Sequence, residues 1–566
     1  MPPRFSKELS RPIVFGSPVD FQARTSPCEA NCPAGNPIQK VHSLIKEERF
    51  GAALEYVRSR NPFPGVTGRV CNHPCENQCN RGSYDEAIGI RALERYAADH
   101  ADMTRVRNLL RAEKSGKRLA VIGSGPAGMT CAYFSALFGH DVTVFEGSPF
   151  LGGMPKRAIP DYRLPKYVVD REVGLILGLG VDVRTNTFVG KDIGFDDLLK
   201  EFDACLVATG MWKEKNPDIP SVGGVIGGLS FLTRVNRGDP PLLGPRVVVV
   251  GGGGVAFDCA FSARRLGASE VHVVCLESGE TMRITPEDCT QAEGEQVIVH
   301  QGHMISDVLS RKGKATGVEC YRISSFQFDD SGKLTVIPAS DNRIQLSADT
   351  VIMAVGLEPD LPFSGNRFEV TGKGTLKVDS STMSTSVQKV FAAGDVVHGA
   401  STVAQAIGSG RTAAVAIHRY FTNGKPDLHV RATCGDEGWI DFEEGGNGPA
   451  PHVVAYEELL DTEFFERARR EPTGHVECEA SIRSFTEINL GLQNKESAVR
   501  EASRCFRCGH CQVCGKCAEH CPGYVLEMKE DRPVVSFPDE CWHCGSCRIN
   551  CPSSCISYQF PISMLV

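Results

Sequence analysis

Two copies of one cysteine run constrain this chain more than any other feature. Cys511, Cys514, Cys517 and Cys521 recur thirty residues later as Cys541, Cys544, Cys547 and Cys551, and both copies read C-x2-C-x2-C-x3-C-P. The two-residue gaps let three successive thiolates wrap three corners of a cubane. The fourth cysteine, followed by Pro522 or Pro552, points away and ligates the other cluster. By that rule one cluster takes Cys511, Cys514, Cys517 and Cys551, and the other takes Cys541, Cys544, Cys547 and Cys521. The alternative is a pair of four-cysteine zinc sites, which seldom use this tandem run with its proline. Two adjacent clusters conduct single electrons and do no bond chemistry themselves.

The remaining cysteines sharpen the picture. Of 24 in all, eleven lie at 505–555 and five at 28–79, leaving eight scattered between. A disulfide scaffold would be small and secreted, whereas this chain has 566 residues and opens MPPRFSKELSRP with no apolar leader. Its length predicts about three to five domains. No stretch approaches the ~20 apolar residues of a membrane span, so a cytoplasmic location without a transmembrane segment is expected. The net charge of −8 argues against a nucleic-acid partner. An oligomer is left open.

The middle of the chain carries two strand–turn–helix–strand units. In LAVIGSGPAGMTCAYFSALFGHDVTVFE (119–146), Gly123, Gly125 and Gly128 permit a tight turn that brings backbone N–H groups to a pyrophosphate. Glu146, ending the second strand, is placed to accept hydrogen bonds from an adenosine ribose. In RVVVVGGGGVAFDCAFSARRLGASEVHVVCLES (246–278), Gly251, Gly253 and Ala256 take the equivalent places. Two such units imply two nucleotides. Cys131, Cys205, Cys259, Cys275, Cys289 and Cys320 contain no C-x2-C or C-x4-C pair for disulfide exchange, and each reads as a small apolar residue.

Further segments carry family resemblances. VATG (207–210, with Gly210) and FAAGDVVHGASTVAQAIGSGRTAA (391–414, with Gly394 and Asp395) resemble the two-dinucleotide-domain flavoproteins. AVGLEPD (354–360, with Gly356) resembles their return strand from the nicotinamide domain. This implies FAD on the first unit, with Asp395 on the ribityl chain, and NAD(P) on the second. Relatives that use NADPH commonly end the corresponding strand with Tyr-Arg-Arg. Here Cys275, Leu276 and Glu277 stand there, and Glu277 would repel a 2′-phosphate, so NAD is expected over NADP. Arg264 or Arg283 could swing in and reverse that preference.

CEANCPAGNPIQ (28–39), GRVCNHPCENQC (68–79), DEAIGIRALERYAAD (85–99) and GGMPKRAIPDYRLPK (152–166, with Gly153 and Arg163 at the cofactor) resemble a specific family. It comprises the small subunit of glutamate synthase, the N-terminal part of dihydropyrimidine dehydrogenase and the large subunit of NADH-dependent ferredoxin:NADP oxidoreductase. The resemblance covers roughly 25–425. It implies a [4Fe–4S] cluster on Cys32, Cys71 and Cys75, with Glu94 as the non-cysteine ligand. The family's second head cluster uses four cysteines. Cys28 and Cys79 match, but the usual upstream C-x2-C is missing. A similar segment, FTEINLGLQNKESAVREASRCFRC (485–508), lies at the other end, and its Cys505 and Cys508 are left over by the ferredoxin count. Either this segment folds back to complete a Cys28, Cys79, Cys505, Cys508 cluster, or the head holds one cluster and spare thiols. Cys555 is unassigned in both readings.

The expected fold is a multidomain α/β protein with a helical iron–sulfur head and two Rossmann-like domains. A bacterial-type α+β ferredoxin domain ends it. The boundaries are 1–115 (head), 116–245 (FAD, first part), 246–350 (NAD(P)), 351–425 (FAD, second part), 426–504 (linker and fold-back helical segment) and 505–566 (ferredoxin). The resemblance implies an NAD(P)H-dependent oxidoreductase exchanging electrons with ferredoxin or a partner redox enzyme complex. The chain could also be the electron-input subunit of a reductase or 2-oxoacid:ferredoxin oxidoreductase, or a glutamate synthase small subunit. Flavin bifurcation and the direction of flow are left open.

Overall fold

The computed structural model describes residues 24–102, 111–215, 222–282, 284–329, 332–423, 431–433, 439–441, 451–529, 532–537, 540–542 and 544–556. Arg283 and most of the expected linker lie outside them.

The head is helical. Ile38, Val41, Leu44 and Ile45 recur at helical spacing and are fully buried in the helix Ile38–Lys46. The sequence pattern extends to Arg60, but the structure breaks it into two helices. Glu48 takes a left-handed φ of 59° and the next helix begins at Phe50. Pro64–Val70 and Ile90–His100 complete the bundle, with Pro64 supplying the fixed φ suited to a first turn.

The flavin domain is a five-stranded parallel sheet in the order Val390–Ala392, Ala204–Val207, Arg118–Ile122, Asp141–Phe145, Asp182–Arg184. Its central strands are apolar and buried over Leu119–Ile122 and Ala204–Val207, as a sheet covered on both faces requires. The helices Pro126–Leu137 and Val403–Phe421 pack together on it. The longer one is capped by a Thr402/Gln405 box, each side chain taking the other's backbone N–H at 3.2 and 2.9 Å.

The nicotinamide domain is a second parallel sheet, ordered Val297–His300, Glu270–Val274, Arg246–Val250, Thr350–Met353, Val225–Gly227. A three-stranded antiparallel layer, His303–Arg311 to Leu334–Ser347, lies beside it. The expected divisions at 245/246 and 350/351 are corrected here. Val225–Gly227 and the helix Gly228–Asn236 already belong to this domain, and its sheet runs on to Met353.

The two dinucleotide domains are tied by a buried polar knot. The Tyr162 hydroxyl donates to Asp258 at 3.1 Å, and Arg163 pairs with Asp258 at 2.8 Å and Asp288 at 2.9 Å. The Arg265 guanidinium lies 4.0 Å from the Tyr162 ring centroid and pairs with Glu295, both side chains fully buried.

Residues 451–508 wrap back over the head. The expectation of a helical segment is corrected: only Cys478–Ser481 and Lys495–Ser503 form α-helices, and much of the remainder is extended or in short 3-10 turns. Besides pairing Gly474–His475 with Asn489–Gly491 inside itself, it makes many contacts with distant chain. His452–Val453 pairs in parallel with Arg24–Thr25, and Glu487 meets Arg69 at 2.7 Å and Arg95 at 2.8 Å. Glu501, fully buried, accepts the Gly89 and Glu471 N–H groups at 2.7 and 2.9 Å and pairs with Arg504 at 2.8 Å. The ferredoxin module follows, with the hairpin Leu526–Lys529/Arg532–Val535 and the short helices Lys516–Glu519 and Ser546–Ile549.

Glu501→Ala removes one of the two carboxylates paired with Arg504 and strands two backbone donors in the interior, a loss of about 3 kcal/mol. The expected outcome is a lower thermal midpoint and faster limited proteolysis at 451–504. Wild-type proteolytic resistance in the variant contradicts this docking.

Candidate functional site

The first glycine turn is built for close approach. Gly123 has φ 104°, and a Cβ at Gly128 would collide with the Gly123 carbonyl oxygen. Only glycines let this strand pass this helix. Gly125 N-caps the helix Pro126–Leu137, and Gly153 stacks on Gly125, 2.7 Å from its Cα to an added Cβ. Glu146 is held by the Ser124 hydroxyl at 2.6 Å and the Ser124 and Ser148 N–H groups at 3.1 and 2.8 Å.

A cavity of about 640 Å³ opens beside this turn, lined by Gly123, Glu146, Arg157, Thr209, Trp212 and Arg237 among others. That volume suits a dinucleotide cofactor. Arg157 lies 4.3 Å from the Trp212 ring centroid at its wall. Gly210 sits in this wall's loop with φ 70°. Gly394, with φ 79°, packs on Ala127, which places Asp395 at the start of the next helical turn. Ser401 donates to Asp395 at 2.5 Å, and burial pushes that carboxyl up. Tight glycines, an acceptor at the strand end and a sized cavity together fit FAD.

In the second unit Gly251 has φ 138° and Gly253 caps the helix Gly254–Arg265, with Ala256 buried behind. The Glu277 carboxylate and Cys275 Cβ crowd the space above Gly252. Arg264 spends its guanidinium on the carbonyls of Glu295, Ala268 and Ser269 at 3.0, 2.7 and 2.8 Å. Gly356, with φ 112°, accepts the Lys215 N–H at 3.1 Å. Arg163, expected at the cofactor, is instead held by Asp258 and Asp288 in the knot between the domains. Cys131, Cys205, Cys259, Cys275 and Cys320 are buried, but Cys289 is exposed, which corrects its apolar reading.

The head brings two thiol sets together. Burial pushes Cys32 up to about 12 and Cys71 up to about 11, and raises Cys75 further. The charge of Glu94 acts on all three. Glu94 is itself raised to about 7 by burial, against one 2.8 Å hydrogen bond from Asn36. In the second set, charges on Cys79 and Cys505 both raise Cys28. Burial pushes Cys505 up to about 12 and raises Cys508, which also feels Cys505 and Cys79. Asn80 donates to the Cys508 sulfur at 3.4 Å, and Gln39 donates to its carbonyl at 2.8 Å. Cys32, Cys71, Cys75 and Glu94, and likewise Cys28, Cys79, Cys505 and Cys508, lie near enough to act on one another, and such a grouping of sulfur and carboxylate donors fits a cluster.

In the ferredoxin module, Cys551 acts on Cys514 and Cys517 together with Cys511. Cys521 acts on Cys547 together with Cys541 and Cys544. The fourth cysteine of each run therefore sits with the other run. Among the described residues no three Cys, His, Asp or Glu side chains converge tightly enough for a single metal ion.

One helix touches both flavin cradle and head. In Val403–Phe421, a Cβ at Gly410 would collide with the Ala127 carbonyl and one at Gly408 with that of Pro33. Arg411 donates to Ala34 at 3.0 Å, and Asn36 donates its N–H to the Cys32 sulfur at 3.4 Å. Ser124, Asn36, Gln39, Asn80, Arg157 and Trp212 escaped the sequence reading. Their roles come from tertiary approach and have no spacing signature.

Two Rossmann-like sheets, a flavin-sized cavity and grouped thiols in head and tail are the frame of an NAD(P)H-dependent iron–sulfur flavoprotein oxidoreductase. The chain belongs to the pyridine nucleotide-disulphide oxidoreductase family, whose model matches residues 117–410. Within it the chain groups with glutamate synthase small-chain-like proteins that carry a ferredoxin tail. Residues 21–106 match the dihydropyrimidine dehydrogenase domain II, 4Fe-4S cluster, and 510–555 match the 4Fe-4S dicluster domain. It is 36% identical over 512 residues to the NADP(+)-dependent formate dehydrogenase subunit beta of Moorella thermoacetica, covering 86% of this chain and 70% of that one. It is 33% identical to the NADPH-Fe(3+) oxidoreductase subunit beta of Geobacter sulfurreducens, covering 86% and 75%. It is 34% identical to the glutamate synthase small chain of Azospirillum brasilense, covering 69% and 86%. No described helix is long and apolar enough to cross a membrane.

Gly128→Ala forces the helix away from the turn it must touch. Purified variant is expected to carry at least about tenfold less flavin by absorbance than wild type, with the tail's iron retained. Normal flavin content would contradict the placement of this cradle.

Proposed function

We propose that this chain is the electron-input subunit of a larger redox complex, exchanging two electrons with a nicotinamide and single electrons with a partner. When bound, flavin and clusters convert between hydride transfer and one-electron steps. The chain's own residues hold and orient. Glu146 and the Gly123–Gly128 turn take the adenosine end of FAD, and Asp395 its ribityl chain. Gly251, Gly253 and Ala256 take the second nucleotide's pyrophosphate.

The observation that carries the reading is the approach of Cys505 and Cys508 to Cys28 and Cys79, with Cys28 and Cys508 buried. It supports a second four-cysteine set in the head, on the route from the flavin side of the molecule to the tail. With Cys32, Cys71, Cys75 and Glu94, and with the two tail sets, this makes four [4Fe–4S] clusters. The formate dehydrogenase and Fe(3+) oxidoreductase relatives are beta subunits by name, which supports a resident partner enzyme over a freely diffusing ferredoxin. Anaerobically purified protein should hold about sixteen irons per chain, four for each cubane. Cys505→Ser with Cys508→Ser should lower this to about twelve. Twelve irons in fully loaded wild type would exclude the fold-back cluster. Affinity purification from native extract should recover a second redox subunit, and its addition should stimulate nicotinamide oxidation.

We infer a preference for NADH, although the beta-subunit relatives are NADP(H) proteins by name. Glu277 stands over Gly252, where it can accept from a ribose 2′-hydroxyl but repels a 2′-phosphate. Arg264 is committed to three backbone carbonyls and does not offset that charge. kcat/KM should favour NADH by about tenfold or more, and Glu277→Ser should shrink the ratio by roughly that factor. A wild-type preference for NADPH defeats the inference.

A further inference from the structure

Cys555 is the one thiol of the tail that the ligand count leaves over, and it is not on the surface. It is 3% exposed and lines the same cavity as Cys511, Cys514, Cys517 and Cys551. Its Sγ lies 3.3 Å from that of Cys551, and it is also within hydrogen-bonding reach of Cys511.

The internal repeat supplies a control within the molecule. Cys551 is followed by Pro-Ser-Ser-Cys555, and Cys521 by Pro-Gly-Tyr-Val525. Cys555 and Val525 therefore occupy matching places, four residues beyond the fourth cysteine of each run. Their backbones do the same thing. The Cys555 N–H donates to the Cys551 sulfur at 3.4 Å, and the Val525 N–H donates to the Cys521 sulfur at 3.3 Å. Both residues are buried, Val525 at 2% exposure, and Val525 lines the cavity of Cys521, Cys541, Cys544 and Cys547. The two sites differ at this place in the side chain alone. One ends in an S–H and the other in an isopropyl group.

We propose that Cys555 is a positioning residue that sets the two tail clusters at different potentials. Its S–H donates to ligand sulfurs of the cluster held by Cys511, Cys514, Cys517 and Cys551. Val525 offers nothing comparable to the cluster held by Cys521, Cys541, Cys544 and Cys547. Reduction adds one electron to a cluster and spreads negative charge onto its sulfurs. A donor aimed at those sulfurs stabilises the reduced form and raises the midpoint potential. No bond to the thiol forms or breaks. The thiol-bearing cluster becomes the better electron store of the pair, and the Val525 cluster the more reducing one. This inference rests on the two-cluster reading of the tail.

The test is an EPR-monitored redox titration of the full-length holoenzyme, with iron analysis on the same samples. Cys555→Ala should lower the midpoint of one tail cluster toward that of the other without loss of iron. Cys555→Ser, which keeps a donor, should restore most of the separation. Val525→Cys should raise the midpoint of the second cluster. Unchanged midpoints in Cys555→Ala with full iron would overturn the proposal, as would iron loss in Cys555→Ala alongside full iron in Cys551→Ala, because Cys555 would then be the ligand. If Cys555→Ala does not accumulate, Val525→Cys carries the test, and no shift in that variant overturns the proposal. Wild-type iron too low for two tail clusters would instead overturn the underlying reading.

Discussion

Cys28 and Cys79 of the head lie beside two thiols from outside it, Cys505 and Cys508. These two thiols come from the far end of the sequence, and the hydrogen bond from Gln39 to Cys508 spans 469 residues. Loop-closure entropy grows only with the logarithm of that separation, so a long return costs little more than a short one. What the return does require is a docking surface that exists beforehand. Glu501 under Gly89, Glu487 on Arg69 and Arg95, and Asn80 beneath Cys508 provide it. The head bundle thus supplies the surface that receives Cys505 and Cys508, and the ferredoxin module begins where that docked segment ends.

The helix Val403–Phe421 fixes the other end of the route. Gly408 and Gly410 lie on it two residues apart, one against the loop that carries Cys32 and the other against the helix that opens the flavin turn. Side chains at either place would push the head or the turn away. The distance between flavin cradle and first thiol set is therefore set by backbone contact, which leaves little slack. Asn36 reinforces it by serving Glu94 with its side chain and Cys32 with its N–H.

Local chemistry is what the sequence displays. The tail runs and the glycine turns are legible because a cubane and a pyrophosphate each dictate residue type at short, fixed spacing. Cys505 and Cys508 were legible only by subtraction, as cysteines the ferredoxin runs leave over. The boundary near 222 was not legible, because Val225–Gly227 is three residues long and is defined by its partner strand Thr350–Met353. The span 426–504 reads as linker and helix from composition, yet groups such as the Glu487 carboxylate and the Ile488 N–H are satisfied by the head and by Tyr162, which no window of sequence contains. Arg163 lies in a motif whose resemblance pointed to the cofactor. Its ties to Asp258 and Asp288 appear only once the second domain is folded beside the first.

The returning segment also bears on how the dinucleotide domains move. Ile488 donates its N–H to the Tyr162 carbonyl at 3.0 Å, and Phe485 packs against the Tyr162 ring at a centroid distance of 6.2 Å. Tyr162 is the centre of the knot that joins flavin and nicotinamide domains through Asp258, Arg163 and Arg265. Cys478 lies against Gly294 at the end of the nicotinamide-domain helix Pro286–Gly294. Rotating one domain against the other would break the Arg163 pairs in a largely buried setting, where each broken pair costs several kcal/mol. It would also strip the returning segment from Tyr162. The stretch that carries Cys505 and Cys508 therefore braces the two dinucleotide domains in one relative orientation.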